Sequence, residues 1–292
     1  MKVVLYLFIA LFFISCSMPK ANFEKSVLAR YKAPKNSYKT DALWTKYEKS
    51  VLTDARVKRA KKFMKRYSKE LLKAEKIYGV EKEYIVSFLA IETNFCSYTG
   101  NYRVYDVLYT LANHKNRMQN FFKNELCQLK LLADEEKKDI RSYRGSFAGA
   151  MGCVQQLPSV HRRYGVDFDG DGKKDLYSIK DSIGTIASFM HRNGWEKGAC
   201  VAVRARYKAK RYNGPLQTGY NKLYSLETLK KYGITPRKRI KEDIVSLLQL
   251  RGKTYDQLWL GCKNMRVLTA YNHSTNYGMA LYTFAQRLKG RR

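Results

Sequence analysis

Histidine is scarce in this 292-residue chain, with four scattered copies, and no Cys-x-x-Cys pair or Cys/His ligand spacing occurs. That excludes the common zinc sites and argues against a transition-metal centre. Acidic residues are also few: 25 Asp and Glu stand against 56 Lys and Arg, a formal net charge of +31. So large a field draws polyanions such as nucleic acid, anionic lipid or an acidic wall polymer. Nucleic acid is set aside, because the charge is spread along the chain without a zinc finger or an aromatic-glycine RNA signature. A lysine-rich proteome accounts for the charge equally well. No apolar run is long enough to span a bilayer, Val3 to Ile14 included. Internal repeats and low-complexity blocks are missing too. Apolar residues, at 45%, argue against disorder, and the length allows one large domain or two smaller ones.

What is present begins at the N-terminus. Lys2, the run Val3 to Ile14 and then Ser15-Cys16 fit a secretory signal. A small residue before Cys at the end of such a run resembles a bacterial lipobox, with Phe13 where that motif usually has Leu. Residues 1–16 are therefore expected to be a lipoprotein signal peptide, with Cys16 lipidated; an ordinary signal peptide is the alternative. Lipidation would anchor the chain to a membrane without spanning it. Ser17 after Cys16 favours a periplasm-facing outer-membrane position over the inner membrane. Residues 17–40 are polar and basic, with Pro19 and Pro34, and read as a tether. Five further cysteines follow: Cys96, Cys127, Cys153, Cys200 and Cys262. An oxidising compartment allows disulfides, and the odd count leaves at least one thiol outside them.

Beyond the tether the periodicity is helical. ALWTKYEKSVL and VKRAKKFMKRYSKELLKAEKIYG space apolar residues at three and four, with Gly79 capping the second segment. In GVEKEYIVSFLAIETNF, Ile85, Phe88, Leu89 and Glu92 fall at i, i+3, i+4 and i+7. Glu92 thus lies on the apolar stripe. Desolvation there raises a carboxyl pKa, and a glutamate protonated at neutral pH is a candidate general acid. A structural glutamate paired with one of the many cations is the other reading. DVLYTLANHK and NRMQNFFKNELCQLKLLADEE continue as helices. The small residues of GSFAGAMGCVQQLPSV allow close backbone approach, for helix packing or for a polymer.

VDFDGDGKKDLYSIKD places oxygen donors at Asp167, Asp169, Asp171 and Asp175, Gly172 at the sixth place and a Lys173 carbonyl at the seventh. This is the front half of an EF-hand loop. Its twelfth residue is Ser178 rather than Glu, and the next carboxylate is Asp181. Calcium would relieve the repulsion among these acids; a metal-free double turn is the alternative. IGTIASFMHRNGW is helical, ended by Asn193-Gly194. From about 196 to 260 the texture becomes that of a small mixed insertion: CVAVRARY alternates like a strand, and Gly214-Pro215, Gly219, Gly233 and Pro236 punctuate the rest. Helix returns in NMRVLTAYNHSTNYGMALYTFAQRL, with Asn272, His273, Ser274 and Tyr277 before its last stretch.

Taken together, AIETNF, GSFAGAMGCVQQLPS, YGVDFDGDGKKDLYSIKDSIGTIASF, GWEKG and AYNHSTNYGMA resemble, in order, the lytic murein transglycosylase B family. The resemblance implies a mainly α, α+β fold: a lysozyme-like helical core with a small β-containing insertion and an EF-hand-like calcium loop, over residues 41–292. It implies Glu92 as the single catalytic acid/base. Tyr47, Arg117, Ser146, Gln155, Phe189, Tyr271, Asn272 and Tyr277 match substrate-contacting positions. Asp167, Asp169, Asp171, Lys173 (through its carbonyl) and Asp181 match calcium ligands. No organic cofactor is implied; the partners are peptidoglycan strands and, through the anchor, a membrane, and the protein is expected to be a monomer. The sequence departs from the family pattern at Cys96 (usually Gly), at Cys153 and Gln156 (usually aromatic), at Met118 (usually Arg) and at Phe189 (usually Tyr).

The activity implied is cleavage of the β-1,4 bond between N-acetylmuramic acid and N-acetylglucosamine, leaving a 1,6-anhydromuramoyl end. A glycosidase normally uses two carboxylates, and the charged candidates Asp106 and Glu125 lack a nucleophile signature. One glutamate suffices if the muramoyl C6 hydroxyl attacks, with its large effective molarity. Two rivals remain: a hydrolase (muramidase) on the same polymer, and a non-catalytic wall-binding lipoprotein.

Overall fold

The computed structural model describes residues 21–32 and 44–290. The expected signal peptide with Cys16, and residues 17–20 and 33–40 of the expected tether, lie outside the described residues. Twelve helices occur among them. The first five are α1 (Lys25–Lys32), α2 (Trp44–Val51), α3 (Asp54–Arg66), α4 (Ser68–Tyr78) and α5 (Lys82–Thr93). After strand β1 (Tyr102–Arg103) come α6 (Val104–Asn113) and α7 (Gln119–Glu136), then β2 (Arg144–Gly145), α8 (Pro158–Tyr164) and α9 (Ile179–Arg192). Strands β3 (Ala202–Arg206), β4 (Leu223–Ser225), β5 (Thr235–Pro236), β6 (Ile244–Leu250) and β7 (Gln257–Gly261) form the insertion with α10 (Leu226–Lys231); α11 (Lys263–Tyr271) and α12 (Thr275–Leu288) close the chain. The expected mainly helical fold with a small β part is what forms.

The centre is α5. KEYIVSFLAIET is apolar on nearly every face, and Tyr84 to Ala90 are all buried, as expected of a helix enclosed by others. It packs against α12, α3, α9 and α4. The run 57–79, read as one helix, is two. Tyr67 leaves helical geometry at φ −106°, ψ 31°, so α3 can lie on α5 and α12 while α4 lies on α9. Gly79 ends α4 in the left-handed conformation, as its sequence position suggested.

Part of the expected tether belongs to the body. Val27, Leu28 and Tyr31 of α1 are buried in a second core with Val104, Leu108 and Leu111 of α6 and Phe122 and Leu129 of α7. Each fully buried aliphatic of this kind contributes about 1.5–3 kcal/mol, enough to dock a short helix whose remaining residues are polar except for Ala29. Backbone N–H groups of Asn22 and Glu24 add hydrogen bonds to Asp106 and Thr110.

The insertion is an antiparallel sheet of order β4-β6-β7-β3-β5 with a core of its own around Leu229, Val245, Leu247 and Leu260. A disulfide between Cys200 and Cys262, Cα atoms 5.6 Å apart, closes its neck. A second disulfide joins Cys96 to Cys153. Cys127 is in neither, in keeping with the odd count.

Candidate active site

Glu92 is the last but one residue of α5, so its side chain emerges where the central helix reaches the surface. The residue keeps partial exposure, yet its carboxyl is deep among protein atoms. Burial raises its pKa to about 7, opposed by a hydrogen bond from Tyr277. Tyr277 Oη donates to Glu92 Oε1. No second carboxylate stands among the groups that shift it.

Aromatic rings build the cage. The ring of Tyr271 stacks on that of Tyr277, centroids 6.5 Å apart at 10°. Phe88, one turn before Glu92, meets Tyr271 edge-on at 5.0 Å. Tyr47 on α2 feels the Glu92 charge: burial first, then that charge, pushes its phenol up. Both Tyr271 and Tyr277 are pushed well up, by burial and then by Glu92. All three therefore remain neutral phenols at working pH. Tyr277 reaches Glu92 because Ser274 caps α12, its hydroxyl accepting from the Tyr277 N–H.

The facing wall is the loop 145–157. It lies against the segment after Glu92 through the antiparallel pair β1–β2. A Cβ on Gly145 would sit 2.1 Å from the Ala150 oxygen, and one on Gly152 would sit 2.2 Å from the Leu176 oxygen. The small residues of this loop thus serve close backbone packing. Thr93, the residue after Glu92, donates through Oγ1 to the Cys153 carbonyl at 2.7 Å and accepts from the Cys96 N–H at 2.9 Å. Tyr271 Oη donates to the Val154 carbonyl, so the same loop also fixes one wall of the cage.

Other expected substrate contacts are placed less centrally. The hydroxyl of Ser146, matched to a substrate-contacting position, accepts from the N–H groups of Ala148 and Ala150, holding the loop. Gln155 Nε2 donates to the carbonyls of Thr99 and Gly152, which ties loop to catalytic segment. Phe189 is 5% exposed and meets Tyr271 edge-on at 4.9 Å, so it backs the cage rather than facing the groove. Asn272 is exposed beside Tyr271. Arg117, between α6 and α7, lies over the Tyr31 ring at 5.3 Å, with no contact to the cage. The other carboxylates weighed as partners are used elsewhere. Glu125 accepts from Ser159 N–H and Oγ at the start of α8. Asp106 accepts from Asn22 N–H and Arg103.

In the acidic loop, carboxylate oxygens of Asp167, Asp169 and Asp181 come within 4.8 Å of one another. Asp181 is buried, and burial pushes its carboxyl up. Three acids facing one point, one of them desolvated, fit a hard divalent cation. The twelfth place carries Ser178 because that residue is the N-cap of α9; Asp181, in the first turn, closes the loop instead. Asp171 is outside the trio, its Oδ1 accepting from the Lys173 N–H, and Asp175 turns to the Tyr177 N–H. Lys73 fastens the loop to α4 by donating to the Phe168 carbonyl at 2.7 Å.

A family model described as the transglycosylase SLT domain matches residues 14–286. The chain belongs to this transglycosylase family. It is 37% identical over 244 residues to the membrane-bound lytic murein transglycosylase B of Escherichia coli K12, a match covering 83% of this chain and 66% of that protein. The E. coli lytic transglycosylase SLT35, solved in complex with calcium, superposes with a TM-score of 0.84 at 35% identity, over 92% of this chain and 84% of that one. SltB3 of Pseudomonas aeruginosa, solved with NAG-anhNAM-pentapeptide, gives 0.77 at 25% identity, over 93% of this chain and 72% of that one.

Within this transglycosylase fold, two features escaped the sequence reading. Tyr220, from the insertion, stacks on His273 at 5.8 Å and 18° and brings the β part beside the segment that carries Asn272. The two cysteine departures, Cys96 and Cys153, are one bond. Their joint occurrence in the two segments flanking the groove was the available signal for the second.

Proposed function

We propose that this chain is a peptidoglycan lytic transglycosylase that uses Glu92 as its only acid and base. One observation supports the chemistry above all: a single groove carboxyl, held near pKa 7 by burial and touched by one phenol. At neutral pH such a group is protonated in a large fraction of molecules. Tyr277 occupies Oε1, which leaves the other carboxyl oxygen to carry the proton toward the glycosidic oxygen. When the bond to N-acetylglucosamine breaks, the Tyr277 hydrogen bond steadies the new carboxylate. Glu92 then removes the proton of the muramoyl C6 hydroxyl, whose oxygen attacks C1 of the same sugar. No water is consumed, and no second carboxylate is needed. The likeness to a protein solved with an anhydro sugar supports this product class.

Tyr47, Gln155, Tyr271 and Asn272 are proposed to line the sugar path, with Ser146 and Phe189 supporting it and Arg117 at its periphery. Calcium is proposed at Asp167, Asp169 and Asp181, with the Lys173 carbonyl and Asp171 as further oxygens; it would supply charge that ties the loop to α9. The calcium-bound E. coli relative supports this. Anchoring through Cys16 at the periplasmic face of the outer membrane is proposed likewise. The membrane-bound E. coli relative supports an envelope location, and no helix among the described residues is long and apolar enough to cross a membrane.

Digestion of purified sacculi by wild type and Glu92→Gln, read by mass spectrometry, tests the proposal. Wild type should release muropeptides one water lighter than hydrolytic products, and the variant none. Hydrolytic masses would make the enzyme a muramidase, and cleavage by the variant would remove Glu92 from its role.

A further inference from the structure

We propose that the Cys96–Cys153 disulfide is a positioning element of this active site, holding the helix end that bears Glu92 against the facing loop, so that full turnover requires the oxidised bond. The proposal rests on the transglycosylase reading. Three observations carry it. First, Asn94, Phe95 and Cys96 have φ of 50°, 63° and 61°. Asn94 takes this left-handed conformation readily as the helix C-cap, but Phe95 and Cys96 do not, at a cost of about 1 kcal/mol or more each. Such a segment keeps its shape only if its surroundings impose it. Secondly, Leu89, Thr93 and Phe63 hold the segment from its own side, and Cys153 holds it from the facing loop. Its carbonyl accepts from Thr93, the residue beside Glu92, and its sulfur is bonded to Cys96, with Cα atoms 4.5 Å apart. Thirdly, the far side of Cys153 is anchored independently, by its N–H to the Leu176 carbonyl and by Val154 to Tyr271. The bond therefore links the acid to the wall that fixes its aromatic cage.

Cys153 is fully buried and Cys96 is partly exposed, so an attacking thiolate has one side to approach. A dithiol reductant would form a mixed disulfide and then leave as its own disulfide, delivering two electrons and two protons to the Cys96 and Cys153 sulfurs; a disulfide-bearing oxidant would run the exchange backward.

The Cys200–Cys262 bond is an internal control. It spans 62 residues against 57, so its constraint on the unfolded chain is nearly the same, but it closes the insertion neck. The test compares Cys96→Gly/Cys153→Ala with Cys200→Ala/Cys262→Ala in the full chain. Glycine at 96 takes the left-handed conformation without strain, which protects folding. The readouts are kcat and KM on soluble glycan strands, melting temperature, and amide hydrogen exchange. The Cys96 variant should lose about tenfold in kcat with KM within about twofold, as a small displacement of a catalytic group does. Exchange should quicken at residues 93–99 and 152–156. The Cys200 variant should melt lower yet keep kcat within about twofold. Equal kcat losses in both, or an unchanged kcat in the first, would overturn the proposal. Unchanged exchange at 93–99 would overturn it whatever the products are, whereas a wild type lacking anhydro products would count against the proposed reaction instead.

Discussion

Two buried carboxylates, Glu92 near the end of α5 and Asp181 in the acidic loop, share one cause and differ in its compensation. Burial raises both. Asp181 accepts three backbone N–H groups, from Phe168, Asp169 and Asp175, and faces two more acids. Those three donors oppose the upward push of burial, and the proposed calcium would add to them. Glu92 receives one phenol and no cation. It is left under-compensated, which is the condition that its proposed role as proton donor requires. Asp106 and Glu125 extend the lesson: both are buried, both are supplied with donors, and neither faces the groove cage. The proposed reactivity of Glu92 rests on withheld hydrogen bonds rather than on burial alone.

The comparison breaks most visibly if the proton is removed from one member only. Glu92→Gln should lower transglycosylase turnover by about a thousandfold, within the range of general acid–base catalysis, measured by release of anhydromuropeptides. The same variant should be more stable than wild type in alkali. The folded pKa, about 7, lies above the ordinary 4.5. The protonated group's stabilising share is thus fully present below the unfolded value and lost as pH rises through the folded one. The loss is about 3 kcal/mol. Urea melts should therefore show Glu92→Gln ahead by up to that amount near pH 8 and level near pH 4, to the extent that the amide keeps the Tyr277 contact.

Asp181 should behave in the opposite sense. With calcium at a hundredfold excess over its Kd, chelation should cost about 2.7 kcal/mol, seen as a lower melting temperature with little change in the chemistry at low temperature. Asp181→Asn should bring the calcium-loaded protein down to the chelated wild type and abolish the response to chelator. Equal melting curves for the wild type with and without chelator would erase the proposed contrast. The smallest effect belongs to Tyr277→Phe. Without the hydrogen bond that lowers it, the Glu92 pKa should rise further, the alkaline limb of the pH–rate profile should move up, and kcat should fall about tenfold, the order of one hydrogen bond to a charged group.

Much of this was readable before any coordinates. The i, i+3, i+4, i+7 spacing from Ile85 to Glu92 put the acid on a buried stripe, because helix period and burial are local matters. The acidic loop announced itself for the same reason. What sequence hid depends on distant partners. Tyr67 breaks a continuous helical pattern because α3 and α4 meet different neighbours. Val27, Leu28 and Tyr31 look sparse in a polar stretch until α6 and α7 supply the other half of their core. Ser146 and Phe189 sit close to the groove, but hydrogen bonding and packing turn them toward the loop and the cage. Pairing of five cysteines is a question of proximity, which composition does not answer.

The central claim is a carboxyl that stays protonated near neutral pH, and carboxyl-carbon NMR titration of selectively labelled Glu92 addresses it most directly. A resonance with its midpoint near 7, absent from Glu92→Gln, is the predicted result. A midpoint near 4.5, the ordinary glutamate value, would mean that Glu92 is ionised when the glycan arrives, and the single-acid mechanism would fail.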